Sequence, residues 1–130
     1  MTQSAHSTFG SRTPSGVPSV IIATLAERAL RIRQLTIASI FHAGSGHPGG
    51  SLSAADILSC LYGAELNVGR ESFKPGAFDP TRDRFILSKG HAVPALYAAA
   101  AVHGLLDVKL LKELRQAGSP LQGHPHVIDT

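Results

Sequence analysis

Asp83-Arg84-Phe85-Ile86-Leu87-Ser88-Lys89-Gly90-His91-Ala92-Val93-Pro94-Ala95-Leu96-Tyr97-Ala98-Ala99-Ala100-Ala101-Val102 is the stretch that decides how this chain is organised. Arg84 to Ser88 is a short apolar run behind the charged Arg82-Asp83-Arg84 cluster. It has the pattern of a strand covered on both faces in a parallel sheet. The cluster itself reads as an ion pair at the strand entrance. Lys89-Gly90 breaks the run, and an alanine-rich helix is predicted from about Ala92 to His103. Pro94 suits its first turn, where a missing amide costs little. Strand, glycine turn and helix in succession place His91 at a helix N-terminus, where free amides attract phosphate. The plainer reading of His91 is a polar residue that opens a helix.

Outward from this unit the chain is mostly helical in pattern. Downstream, Asp107 is a good N-cap for a helix running to Gln116, with Leu110, Leu111 and Leu114 as its apolar stripe and Gly118 as its stop. Ser119 to Thr130 reads as a loop. Upstream, apolar residues recur at helical spacing from Val20 to Ala43, through Leu25, Ala29, Ile32, Leu35, Ile40 and Phe41. Gly44 is the C-cap, and His42 lies in the last turn, where a helix dipole favours a cation. Ser53 and Asp56 form a capping-box-like pair that predicts a second helix through Ile57, Leu58, Leu61 and Tyr62 to about Leu66. Asn67 to Arg82, with Gly69, Pro75, Gly76 and Pro80, reads as a long loop. Residues 1–19 are rich in Ser, Thr, Pro and Gly and read as a disordered extension; residues 20–130 form the folded part.

One clear strand is not a sheet. A lone buried strand leaves amides and carbonyls unpaired, which is costly. The remaining strands are therefore expected from another chain or from a longer version of this one.

Composition narrows the function. The chain has 130 residues, 43% hydrophobic, 5% aromatic and without Trp, so the core must be built from Ala, Leu, Ile and Val. The formal charge of +3 is spread rather than clustered. A nucleic-acid groove needs a basic stripe with aromatics for stacking, and neither is present. No apolar stretch reaches membrane-spanning length. The single cysteine, Cys60, lies in an apolar helical run and is expected to be buried and inert; its isolation is consistent with a reducing compartment.

Three histidines stand in glycine-flanked turns: Gly46-His47-Pro48-Gly49-Gly50, Ser88-Lys89-Gly90-His91-Ala92 and Gly123-His124-Pro125. Imidazole can donate, accept or carry charge near neutral pH, and a neighbouring glycine lets a ligand come close. Three such turns in one short chain point to a single imidazole-lined polar pocket. His47 and His124 could each be a turn residue only. A metal site from the His124-X-His126 spacing lacks an accompanying carboxylate or cysteine cluster, so no metal ligands are assigned. Lys89 could help neutralise a phosphate, or simply be a solvated surface lysine.

Taken together, Gly44-Ser45-Gly46-His47-Pro48-Gly49-Gly50, Asp83 to Ala92 and Gly123-His124-Pro125 resemble the N-terminal, thiamine-diphosphate-binding domain of transketolases, or the N-terminal subunit of their split versions, over roughly Leu25 to His126. The resemblance implies an α/β fold, of which this chain would hold the mostly helical front part of a doubly wound parallel-sheet domain with the sheet incomplete. It implies that His91 contacts the cofactor diphosphate, and that His47 and His124 act catalytically, lining the substrate channel and hydrogen-bonding the donor sugar. It implies thiamine diphosphate and Mg2+ as cofactors and sugar phosphates as substrates. It further implies a C-terminal transketolase subunit or the missing remainder of the chain as partner, in a dimeric, cytoplasmic assembly.

Departures from the family pattern are equally specific. The Gly-Asp-Gly element and later Asn that hold the metal are absent from this sequence, and so is the pyrimidine-binding domain with its activating glutamate. Val127-Ile128-Asp129-Thr130 departs from the usual glycine-rich continuation. Two expectations follow. One is transfer of a two-carbon ketol unit within a larger assembly, with the 130-residue chain inactive alone. The other is a non-catalytic truncated remnant or interaction module of the same ancestry.

Overall fold

The structure, a computed structural model, describes residues 18–68 and 80–125. The expected disordered extension falls almost wholly on residues 1–17, outside the described part. Three α-helices carry the fold: α1 (Ser19–Ala43), α2 (Pro48–Cys60) and α3 (Val93–Val102). One π-helical turn, Leu61–Glu65, prolongs α2, a 3-10 turn, Gly90–Ala92, leads into α3, and a 3-10 segment spans Val108–Glu113.

Helix α1 is 25 residues long and ends as its sequence predicts: Gly44 takes the left-handed conformation (φ 64°) and donates its N–H to the Phe41 carbonyl at 3.2 Å. Glycine adopts that conformation without a Cβ penalty. His42 lies in the last turn, as expected, and is exposed. Phe41 does not belong to the buried stripe, being 80% exposed; the inward face runs instead through Ala29, Ile32, Thr36 and Ser39.

Helix α2 begins at Pro48, five residues before the expected Ser53 start. Proline's fixed φ suits the first helical position, so the two following glycines lie inside the first turn. The supposed capping box does not form. The Ser53 hydroxyl donates to the Gly50 carbonyl at 3.0 Å, and the Asp56 carboxylate turns across to the Arg33 guanidinium on α1. Cys60 is exposed rather than buried. It stands about 100° round the helix from buried Ser59.

The core forms where the three helices meet. Ile32, Ala55, Leu58, Ala95, Ala98 and Ala99 are each at most 1% exposed, and the alanines let α2 and α3 come close. A second cluster joins Val93 and Tyr97 of α3 to Leu111, Leu114 and Leu121. Buried hydroxyls pin the layers: Ser39 donates to the Leu111 carbonyl at 2.7 Å and Ser59 to the Leu25 carbonyl at 2.7 Å.

The last predicted helix is instead the 3-10 segment, though Asp107 caps it as expected, accepting the Lys109 N–H at 2.9 Å. Leu114 leaves the helical conformation and Arg115 enters a positive φ of 63°. Residues 83–87 are extended but belong to no ladder, and no strand occurs among the described residues. The run is covered on one side only: Phe85 and Leu87 are half-buried while Ile86 is 86% exposed. Asp83 directs its carboxylate to the backbone of Asn67, accepting that N–H at 2.8 Å, and its own N–H donates to the Asn67 carbonyl at 2.8 Å.

Candidate functional site

The first histidine turn is shaped by α1's end. Gly44 and Gly46 both have positive φ (64° and 154°), and a Cβ on Gly46 would stand 2.9 Å from Ile40 Cγ1. Backbone conformation and space therefore both demand glycine there. The chain reverses within four residues, and His47 arrives at the N-cap position of α2 without capping it through its side chain. The second turn is local to α3: Gly90 N–H donates to the Ser88 carbonyl at 3.0 Å and Ala92 N–H to the Lys89 carbonyl at 2.9 Å.

Packing of α2 against the turn before α3 brings these two histidines together. The rings of His47 and His91 lie 5.1 Å apart, centroid to centroid, at 65°. A Cβ on Gly50 would be 3.2 Å from His91 Nε2 and 3.6 Å from Lys89 Cδ, so both side chains cross the bare first turn of α2. The third histidine joins through the other glycine of the second turn: a Cβ on Gly90 would be 2.5 Å from His124 Cδ2. The rings of His47 and His91 thus meet, His124 rests on the backbone of the turn that carries His91, and all three are exposed. No carboxylate occurs in Gly44–Gly50, Ser88–Ala92 or Gly123–Pro125, so the donors offered are imidazole and ammonium. Such a set suits an oxyanion.

His124 also marks one end of an apolar groove of ≈ 700 Å³ bounded by Phe85, Leu87, Leu96, Leu110 and Leu121; His47 and His91 lie outside it. In the wall of this groove Tyr62 stacks edge-on to Phe85 (6.0 Å, 70°) and lies 6.0 Å from His103. Burial pushes the Tyr62 hydroxyl's pKa up, against the opposing charge of Arg82. Among the described residues no group of three His, Cys, Asp or Glu could hold a metal ion, and no helix is long and apolar enough to cross a membrane.

Two features of the site escape sequence reading. Gly50 and Gly90 act as seats for imidazoles from other turns, which only the tertiary contacts reveal. Arg115 takes a positive φ and lays its guanidinium over Gly123, with Nε 3.1 Å from the Cβ position there; nothing in an arginine's context announces that conformation.

Comparison with known proteins agrees with this geometry. The family described as "Transketolase, thiamine diphosphate binding domain" matches residues 25–130. The chain is 43% identical over 100 residues to a 6-deoxy-6-sulfo-D-fructose transketolase subunit of a Clostridium species, covering 77% of this chain and 35% of that protein. It is 48% identical over 99 residues to the transketolase of Treponema pallidum, covering 75% of this chain and 14% of that protein. Among solved structures, a Pichia stipitis transketolase superposes with a TM-score of 0.69 at 32% identity, over 83% of this chain and 15% of the other. A transketolase from Leishmania mexicana gives 0.67 at 28% identity, over 82% and 15%. The chain therefore spans a minor part of the length of these relatives, which are transferases. With its family pattern, its three converging turns and its superposition in agreement, this chain belongs to the transketolase N-terminal, thiamine diphosphate binding domain family, and its fold is the mostly helical N-terminal part of that α/β domain.

Proposed function

We propose that residues 20–130 supply the diphosphate-side surface of a transketolase-type enzyme that moves a two-carbon ketol unit between sugar phosphates, with residues 1–19 as an extension that takes no part. The convergence of His47, His91 and His124 through Gly50 and Gly90 carries this reading. The residues fit the cofactor: the first turn of α2 is bare at Gly50, imidazole and ammonium groups cross it, and no carboxylate from the three turns opposes an anion.

When bound, thiamine diphosphate supplies a carbanion able to add to a ketose carbonyl. His91 would donate an imidazole N–H to a diphosphate oxygen, with Lys89 adding positive charge. His47 and His124 would donate to the donor sugar's oxygens, give a proton where negative charge develops on the carbonyl oxygen, and take it back. Ligands for Mg2+ on the diphosphate would come from outside this chain, in a cytoplasmic, dimeric assembly with a pyrimidine-binding C-terminal subunit or segment.

A titration of thiamine diphosphate and Mg2+ into the native assembly tests the reading. His91→Ala should weaken binding about tenfold or more, the scale of one lost charge-assisted hydrogen bond. His47→Ala should leave affinity nearly unchanged and lower ketol transfer. Wild-type affinity and turnover in both variants would refute it. Phosphorylated ketoses should be assayed beside a sulfonated one, because one similar protein is named for a sulfonated sugar. The open extended run at Ile86 favours a second reading, in which the chain serves chiefly as an interaction module for a sheet supplied by a partner.

A further inference from the structure

We infer, resting on the function proposed above, that Gly90 is a positioning residue for His124: its bare Cα is the seat that sets the third imidazole beside the second. Gly90 is not among the residues with positive φ, so its backbone does not demand glycine. It opens a 3-10 turn that runs into α3, in a conformation that alanine can also adopt. What alanine would displace is the His124 ring. The Cβ position lies 2.5 Å from His124 Cδ2 and 3.4 Å from both Cγ and Nε2. The ring therefore rests directly on the backbone of the turn that carries His91.

The His124 loop is fixed from behind: Arg115 N–H donates to the Leu121 carbonyl at 2.8 Å, Leu121 N–H donates to the Ser119 hydroxyl at 3.1 Å, and Leu121 is 2% exposed. Those contacts place the loop's backbone, while the His124 side chain itself is exposed. Gly50 stands in the same relation to His91, at 3.2 Å from Nε2. The two glycines thus interlock three separate turns, and Gly90 meets a histidine from outside its own turn.

The test is Gly90→Ala in the native assembly, alone and combined with His124→Ala. A glycine needed only for packing would lose Tm on substitution by alanine and leave kcat/KM of the folded enzyme unchanged. Positioning predicts an unchanged or raised Tm and affinity for thiamine diphosphate with Mg2+ within about twofold, since His91 keeps its place. It also predicts a fall in kcat/KM for a ketose donor on the order of 10- to 100-fold, the scale of a misplaced reacting group. In the His124→Ala background the same substitution should cost nothing further, because coupled residues are not additive. A nuclear Overhauser contact between Gly90 Hα and His124 Hδ2 should be present in the wild type and lost in Gly90→Ala. Wild-type turnover in Gly90→Ala with a costly His124→Ala, losses that multiply in the double variant, or absence of the wild-type contact would each overturn the inference. A silent His124→Ala with the contact present would leave the seating intact and remove the catalytic role of His124 instead.

Discussion

Leu58→Ala should be among the most damaging single truncations in this chain, and its size can be worked from the packing. Leu58 is 1% exposed, and the buried residues clustered with it are Ile32, Ala55, Ala95, Ala98 and Ala99. Truncation to alanine removes three carbons, roughly 2.4 kcal/mol of lost transfer energy at about 0.8 kcal/mol per carbon. Four of the five clustered residues are alanines on helices, with no rotamer to swing into the hole. The partly buried Leu35, Tyr62, Phe85, Leu96 and Val102 packed against the cluster can close only part of the hole, and the remaining cavity adds about another 1 kcal/mol. The expected loss is about 3–4 kcal/mol. Ile57, its neighbour on the same helix, is 62% exposed, and its truncation should cost under about 1 kcal/mol. Urea unfolding of the two variants, followed by far-UV circular dichroism, reads the difference directly. A gap below about 1 kcal/mol would refute the claim that α2 is held by this alanine-lined socket. The consequence reaches the site, because α2 carries Gly50 beneath His91.

Two further outcomes follow from surface chemistry. The Arg33 hydrogen bond holds the Asp56 carboxyl below its usual pKa. A depressed folded pKa stabilises above the unfolded value near 3.8 and is lost as pH falls through the folded one. Because Asp56 is 66% exposed, Asp56→Asn should cost only about 0.5 kcal/mol near neutral pH, and the cost should vanish in strong acid; a pH-independent difference would contradict this. Exposed Cys60 should react with Ellman's reagent in the folded chain as completely as in denaturant, and a protected thiol would overturn its placement on the outer face of α2.

Much of the helical layout was legible locally. The extent of α1 follows from its periodicity and from Gly44, and α3 from its alanines and Pro94, because propensity and capping are short-range effects. Errors arose where a long-range partner competes with a local signal. Asp56 fits a capping box on spacing alone, yet a guanidinium from α1, 23 positions away, takes its carboxylate, and Pro48 starts the helix earlier. Phe41 and Cys60 satisfy an apolar pattern but stand on outer faces, since periodicity marks a stripe without stating how wide the neighbouring helices make it.

By itself, the sequence determined the family and the three histidine turns. Each depends on residues close together in the chain. Only the tertiary structure decided that those turns meet. His47 reaches His91 because α2 packs on the turn before α3, and His124 reaches the turn that carries His91 because Gly90 has no side chain to keep it away. Residues 83–87 form no ladder for the complementary reason: a strand's hydrogen bonds are made with another strand, and no strand occurs among the described residues.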